Sequence, residues 1–546
     1  MFESAGPPSS QSSTRQGVLG DRPCRSTGVR AVTDAFMPQA NGRANPVSGA
    51  LWRCFCVLRD GGLSPLECVE QLTYLLFLRE ADRVARSARA AGSDSAVLPV
   101  GRDWSSLAGR SGPDLEFHYR ELLSELAGRS PKTLVGAVFA GAQYRIPGPA
   151  VLQGVIVDLS LDDGMRPNAG LTAQAYRGLL DRCAEDVQSG AGQYVTPHPL
   201  VEAMIEVVQP RPSDTITDPA CGTGGFLVAA HRYICEHHLQ DLSVEGMRRL
   251  HSPSSIWGQE MVASTGRLAA MNMLLHGTGS AEGPSPITVG DALARPPSRQ
   301  ASVVLAHPPF GTRTPDTGDR AATGHTPHQR DDFPVTTTHQ QINFLQHVMS
   351  LMQLNGRAAV VLPDNVLFAS QEYAVVRRRL LEDFDLHTIL RLPTGIFYAT
   401  GVRANVLFFD RRPPRADGGA GTSKLWIYDL RTHQQFSPKH TPLRRADLED
   451  FVEAYRPGRP RTDREETERF RCFDYSEVIA RERTNLDISW AQDSTPHSPE
   501  SLLPPEVIAA EIIEDLQTAL REFAAVAEAL DEATSAETDR RQQESG

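Results

Sequence analysis

The chain has 546 residues, 40% of them hydrophobic and 22% charged, with a formal net charge of −12. That length allows about two to four domains of ordinary globular composition. The acidic balance excludes a protein that holds nucleic acid through its overall charge, so any grip on a polyanion needs a local basic surface or a partner.

No apolar run reaches the roughly 18 residues of a membrane span. The N-terminus carries Ser, Gly and Arg without an apolar core, so it does not read as a signal peptide. The eight cysteines show no metal-ligand spacing, and Cys54-Phe55-Cys56 is too tight for a zinc site alone. They read as reduced thiols of a cytoplasmic protein. His231, His237 and His238 lie on or after one helix with no partner cluster, so no metal is expected.

In chain order, residues 1–46 read as a disordered tail of Gly, Pro, Ser, Gln and Arg. Ser64-Pro65-Leu66-Glu67 predicts a helix start, with Ser as N-cap, Pro at N1 and Glu at N3 closing a capping box. Val69, Leu72, Leu75, Leu76 and Leu78 then make that helix a buried one, and a second amphipathic helix is predicted near Leu115 to Leu126. Residues 47–165 therefore read as a helical N-terminal domain.

From about 190 to 410 short apolar strands alternate with helices. Strands are predicted at Thr215–Thr217, Ser255–Trp257, Ile287–Val289, Ser302–Leu305, Ala358–Leu362, His387–Leu390 and Asn405–Phe409. Helices are predicted at Phe226–Glu236, Ser264–Leu275 and Phe344–Leu354. This alternation predicts a doubly wound, mainly parallel α/β sheet of Rossmann type. Residues 312–340 form a long polar insertion, a length more often functional or mobile than structural. A Pro/Gly excursion at 413–423 precedes a further strand, Leu425–Tyr428. A helix is predicted from Glu506 to Leu530, where Ile512, Leu516, Leu520, Phe523, Ala527 and Leu530 follow a 3–4 spacing. Packing on its own domain and docking on a partner subunit both fit that seam. The basic run Arg377-Arg378-Arg379 reads as a solvated helix face.

Four segments carry the chemistry. Asp218-Pro219-Ala220-Cys221-Gly222-Thr223-Gly224-Gly225 follows a strand and opens a helix. Its glycines permit a tight turn and close backbone approach, and the helix start favours an anionic group. The dinucleotide fingerprint and the P-loop pattern are both absent. Glu260 ends the second strand and suits ribose hydroxyls; Asp291 follows the third and could accept from an adenine amino group. The fourth segment runs from a buried-type strand, Ala301 to Ala306, into His307-Pro308-Pro309-Phe310.

Taken in this order, the chain resembles the modification subunits of type I restriction-modification systems, a family of DNA adenine-N6 methyltransferases. The resemblance covers about residues 47 to 530. It includes Gly192-Gln193-Tyr194-Val195-Thr196-Pro197, similar to the family's segment that closes over the methionine part of the cofactor. It also includes Ala269 to Gly277, Asp331-Asp332-Phe333-Pro334 with Asn343 to His347, Leu392-Pro393-Thr394-Gly395-Ile396-Phe397, and Trp426 to Arg431. The resemblance implies a methyltransferase domain over 166–495 and a C-terminal helix with a polar tail over 496–546.

It implies S-adenosyl-L-methionine as cofactor, held by Gln193, Tyr194, Val195, Thr196, Pro197, Asp218, Ala220, Gly222, Thr223, Gly224, Gly225, Glu260 and Asp291. His307, Pro308, Pro309 and Phe310 become the catalytic turn, with two acceptors drawing an adenine amino nitrogen toward a nucleophilic shape and Phe310 stacking on the extruded base. Double-stranded DNA and a DNA specificity subunit are the implied partners, with a restriction subunit and a second copy of this chain as further candidates and no membrane.

His307 departs from the family, which places Asn or Asp there. Neutral imidazole offers one acceptor nitrogen; protonated, it offers none and would repel a cationic cofactor. Two alternatives stand at this point: from His307, a cofactor-binding scaffold with impaired catalysis, and, because the Pro-Pro-aromatic turn alone does not name its substrate, a methyltransferase acting on another amino group.

Overall fold

The computed structural model describes residues 46–90, 98, 101–160, 169–187, 196–238, 243–311, 329–369, 371–397, 403–415, 418–431, 436–437 and 441–490. The helix expected over Glu506–Leu530 lies outside them, as do the tail before Pro46 and residues 312–328 of the polar insertion.

The chain opens with helices α1 (Pro46–Asp60), α2 (Pro65–Ala90), α3 (Trp104–Ala108), α4 (Gly112–Ala127), α5 (Leu134–Phe139), α6 (Pro149–Ser160) and α7 (Ala169–Val187). The start of α2 is the expected capping box. The Ser64 N–H donates to the Glu67 carboxylate at 2.9 Å and the Glu67 N–H to Ser64 Oγ at 3.4 Å. The Ser64 N–H and hydroxyl, both donating to it, hold the Glu67 carboxyl below its usual range, and a cap of this kind stabilises a helix by about 1 kcal/mol. Val69, Leu72, Leu75 and Leu76 are fully buried. A buried hydroxyl pair, Thr73 Oγ1 to Tyr176 OH at 2.8 Å, ties α2 to α7.

After α8 (His198–Val208) come β1 (Ile216–Asp218), α9 (Gly225–His238), α10 (Val244–Leu250), β2 (Ile256–Glu260), α11 (Ala263–Leu275), β3 (Ile287–Val289) and β4 (Ala301–Ala306). Then follow α12 (Gln340–Leu351), β5 (Met352–Pro363), α13 (Asn365–Phe368), α14 (Glu372–Asp383), β6 (Asp385–Arg391), β7 (Ala404–Asp410), β8 (Lys424–Asp429) and β9 (Phe470–Asp474). The strands form one sheet in the order β3-β2-β1-β4-β5-β7-β6-β8-β9. The β5–β7, β6–β7 and β8–β9 pairings are antiparallel and the remaining five are parallel.

Every residue of β4 is buried, as expected of a parallel strand covered on both faces. Alternation divides the strand between two cores. Val303 and Leu305 join the apolar core that continues into the N-terminal helices, while Val304 and Ala306 face the core beneath α12 and α14. The N-terminal helices dock on α11: Arg267 pairs with Glu70 and donates to the Ala140 carbonyl.

Three expectations need correction. The helix expected over Phe344–Leu354 ends at Leu351, and residues 352–354 open β5, where Met352 pairs with Ala301. The strand β9 was not expected; it is an edge strand paired to β8. Arg377 does not lie on a solvated face. It is 1% exposed, and its guanidinium donates to the carbonyls of Thr484, Val366, Ala369 and Arg483. Its neighbours Arg378 and Arg379 are solvated and pair with Glu382 and Asp383 along the helix.

Candidate active site

The sheet order reverses between β1 and β4. β2 and β3 lie to one side of β1, while the chain crosses back so that β4 lies on the other. In open α/β sheets ligands lie at the carboxyl ends of the strands at such a switch point. The two loops leaving β1 and β4 are the glycine-rich loop and the His-Pro-Pro-Phe turn, so topology alone makes them neighbours.

The glycine-rich loop is held by its own backbone. Asp218 is buried, its Oδ1 accepts the Ala220 N–H at 2.9 Å, and burial pushes its carboxyl up to about 8. Gly222 and Gly224 have φ of +53° and +84°, the left-handed region in which a side chain is strained. A Cβ on Gly222 or Gly225 would meet no atom within 4 Å, so the loop faces open room at the N-terminus of α9. The Thr223 carbonyl accepts from Asn272 Nδ2 of α11 at 2.9 Å.

Glu260, at the tip of β2, links this loop to the next. Its Oε2 accepts the Gly222 N–H at 3.0 Å and its Oε1 the Val262 N–H at 2.8 Å. Burial pushes its carboxyl up, and the amide donors pull it back. Asp291, after β3, accepts the Leu293 N–H at 2.9 Å. Close to it Ala292, Leu293, Phe333 and Phe344 form a small apolar cluster with Ala220 packed against it.

The loop also needs Gly258, which sequence reasoning passed over. A Cβ there would lie 2.8 Å from Cys221 Cβ, Cys221 Sγ and a Leu227 methyl. Its absence lets the loop settle on β2, where the Cys221 N–H reaches the Gln259 carbonyl at 3.0 Å. No local signal marks this position; the contact spans two strands.

In the second turn, His307 and Pro308 are buried, Pro309 is exposed and Phe310 is half-buried. The turn is pinned at its exit by α12. The Gly311 N–H donates to Gln341 Oε1 at 3.0 Å, and the Gly311 carbonyl accepts the Gln340 N–H at 3.0 Å. Gln341 is held in turn by Tyr373, at 2.8 Å. The His307 ring lies 5.2 Å from the Phe310 ring and 5.2 Å from the Phe397 ring. Its Nδ1 meets Thr196 Oγ1 at 2.7 Å. Burial alone pushes the imidazole down to about 3, so the ring is neutral at physiological pH.

Of the expected cofactor residues, Thr196 and Pro197 are described, and Pro197 caps α8, its carbonyl accepting from Leu200 and Val201. Gln193, Tyr194 and Val195 lie outside the described residues. Phe397, which ends the Leu392 to Phe397 motif, is brought to the histidine by the fold.

The residues fit S-adenosylmethionine: open space over a glycine loop at a helix start, the carboxylates Glu260 and Asp291 after two strands, and an apolar cluster next to Asp291. Three comparisons agree. The N-6 DNA methylase family profile matches residues 168–498. The methylase subunit of the StySJI type I restriction enzyme of Salmonella typhimurium is 35% identical over 522 residues, spanning 88% of this chain and 94% of that protein. The EcoKI methylase subunit of Escherichia coli is 34% identical over 522 residues with the same coverage.

Among solved structures, a modification subunit of a putative type I restriction enzyme from Vibrio vulnificus superposes with a TM-score of 0.63 at 25% identity, covering 80% of this chain and 93% of that one. A chain from a structure of a type I restriction-modification system gives a TM-score of 0.66 at 26% identity, covering 89% and 98%.

The fold and these matches define a class I, S-adenosylmethionine-dependent methyltransferase. The chain belongs to the N-6 DNA methylase family and is an adenine-specific DNA methyltransferase like the methylase subunits of type I restriction enzymes.

Proposed function

We propose that this chain is the modification subunit of a type I complex, with His307 as the side-chain acceptor for the target amino group. The carrying observation is the His307-Pro308-Pro309-Phe310 turn, at the end of β4 and beside the glycine loop at the switch point of the sheet. Thr196, Pro197, the loop Asp218 to Gly225, Glu260 and Asp291 would hold S-adenosylmethionine. When bound, it supplies a methyl carbon on a cationic sulfur.

An adenine amino nitrogen is a weak nucleophile because its lone pair is delocalised into the ring. The His307 imidazole and the Pro308 carbonyl each accept one of its N–H bonds and localise that pair. The nitrogen so prepared would be the acceptor of the methyl group that the bound donor would supply, and its surplus proton would pass to water. Half-buried Phe310 supplies a face for the base, which has to leave the duplex to arrive there, and buried Phe397 backs the histidine from its other contact. Alignment of nitrogen and methyl carbon adds to the rate gain of such a site.

Two features support a working site over a silent scaffold. The buried imidazole is neutral, so it retains an acceptor and does not repel a cationic cofactor. The turn is braced from α12 by Gln340 and Gln341. The net charge of −12 fits a subunit whose hold on DNA depends on a specificity subunit, and the type I restriction names of its relatives fit membership of a complex, in which a specificity subunit, a restriction subunit and a second copy of this chain are the proposed partners.

The test is to purify the chain with its cognate specificity subunit and incubate the complex with DNA and methyl-deuterated S-adenosylmethionine. The DNA nucleosides are then analysed by mass spectrometry. Deuterated N6-methyldeoxyadenosine is expected. Cofactor binding without any labelled adenine would refute the proposal.

A further inference from the structure

The exchange of amide or carboxylate for imidazole at position 307 raises a question that Asn and Asp do not pose. A neutral imidazole exists as two tautomers, and only one presents a lone pair to the target amino group. From Thr196 Oγ1 against His307 Nδ1 at 2.7 Å, we infer that Thr196 is a positioning residue that fixes the imidazole tautomer. The His307 Nδ1–H donates to the Thr196 hydroxyl oxygen, and Nε2 is left with the lone pair that accepts from adenine. This rests on the proposed role of His307 and goes beyond it.

Three features carry the assignment. The ring is 8% exposed, so water cannot easily exchange its tautomer or take over the Nδ1 bond. It is packed against two aromatic rings, tilted to Phe310 by 47° and to Phe397 by 60°, which favours the ring orientation that keeps Nδ1 on Thr196. Thr196 stands immediately before Pro197, the N-cap of α8, and so belongs to a different element from β4. The contact joins residues 111 positions apart.

Either proton arrangement fits a 2.7 Å contact, since a hydroxyl both donates and accepts. Only the arrangement with the proton on Nδ1 lets the ring act as an acceptor toward the base. With the proton on Nε2, donor would face donor and the amino group would lose its side-chain partner. Thr196 thus converts a two-state ring into a one-sided acceptor, the property that the amide oxygen of Asn has by itself.

The test uses the full complex and single-turnover methyl transfer at saturating cofactor. Thr196→Val keeps shape and loses the hydroxyl. At saturating cofactor, where any loss of cofactor affinity from its place in the cofactor segment is removed, it is expected to slow transfer by roughly 10²-fold, the usual loss for one aligned transition-state hydrogen bond. Thr196→Ser is expected to restore most of the rate. In a His307→Asn background, where no tautomer exists, Thr196→Val is expected to cost less than about tenfold.

Equal loss in both backgrounds, or a loss confined to cofactor affinity, overturns the inference. Nitrogen-15 spectra of histidine-labelled protein, with His307 assigned by its disappearance in His307→Asn, give a second reading that holds even if that variant is inactive. A proton on Nδ1 supports the inference and a proton on Nε2 overturns it. If the wild-type complex methylates adenine and Thr196→Val matches it, only this inference fails. If the wild-type complex methylates nothing, the functional reading fails and takes this inference with it.

Discussion

Replacing Glu260 with Gln separates the two tasks assigned to that side chain. In the structure one carboxylate accepts two backbone donors, Gly222 N–H at 3.0 Å and Val262 N–H at 2.8 Å. Gln has a single acceptor oxygen, so one amide would face a donor, at a cost of about 1–3 kcal/mol in stability. The second task is to accept ribose hydroxyls. A hydrogen bond to a charged group contributes about 1.5–3 kcal/mol, which corresponds to roughly 10- to 140-fold in Kd at 1.4 kcal/mol per decade. The ribose does not change between ground and transition state, so the rate at saturating cofactor should stay within a few-fold. Calorimetric titration of S-adenosylmethionine and S-adenosylhomocysteine, with a thermal melt and a saturating-cofactor rate, resolves all three. A lowered melting temperature with unchanged affinity would refute the ribose assignment, and a large loss of rate at saturation would refute the division of roles.

Arg377→Met should cost at least about 3 kcal/mol, since it strands four carbonyls now served by one guanidinium, each worth roughly 1–3 kcal/mol; a urea unfolding curve showing less than about 1 kcal/mol would return Arg377 to the solvated face. Asp218 has a folded-state pKa of about 8 against 3.8 for an ordinary Asp. Its stabilising contribution is therefore complete below pH 3.8 and lost as pH rises through 8. Between pH 6 and 9 the wild-type melting temperature should fall relative to that of Asp218→Asn, and parallel curves would contradict this. The His307 imidazole is lowered to about 3 from 6.5. Its contribution is present above 6.5 and lost as pH falls toward 3. Single-turnover methyl transfer should accordingly show no acid limb centred near 6.5, and such a limb would mean that His307 is solvated in the working complex.

What the sequence made legible was local. The Ser64–Glu67 box lies within four residues, and β4 announces itself by the apolar run Val303 to Ala306. What stayed hidden was decided by distant partners. Met352 and Leu354 continue a helical spacing, and only pairing with Ala301 turns Met352 into strand. β9 is five residues long with only Phe470 buried, and it exists because β8 offers an edge. Arg377 sits in a run of three arginines that looks solvated. Its burial depends on carbonyls at Arg483 and Thr484, more than 100 residues away.

The candidate site follows the same division. Its four segments could be ordered from motifs, and the sheet order then explains why the first and last of them are neighbours. Departure from the family at His307 was visible at once, yet its partner Thr196 was read only as part of a cofactor segment. The Glu260–Gly222 bond and the clearance provided by Gly258 likewise depend on strands lying side by side.

The most direct test of the central claim is single-molecule sequencing for N6-methyladenine in DNA from cells expressing this chain with its candidate specificity subunit, beside cells lacking this chain. The account predicts one methylated adenine motif that is present with the chain, disappears without it, and is lost or strongly reduced with Pro308 and Phe310 both replaced by Ala. No methylated motif in cells that express both subunits, with a purified chain that binds S-adenosylmethionine, would contradict it.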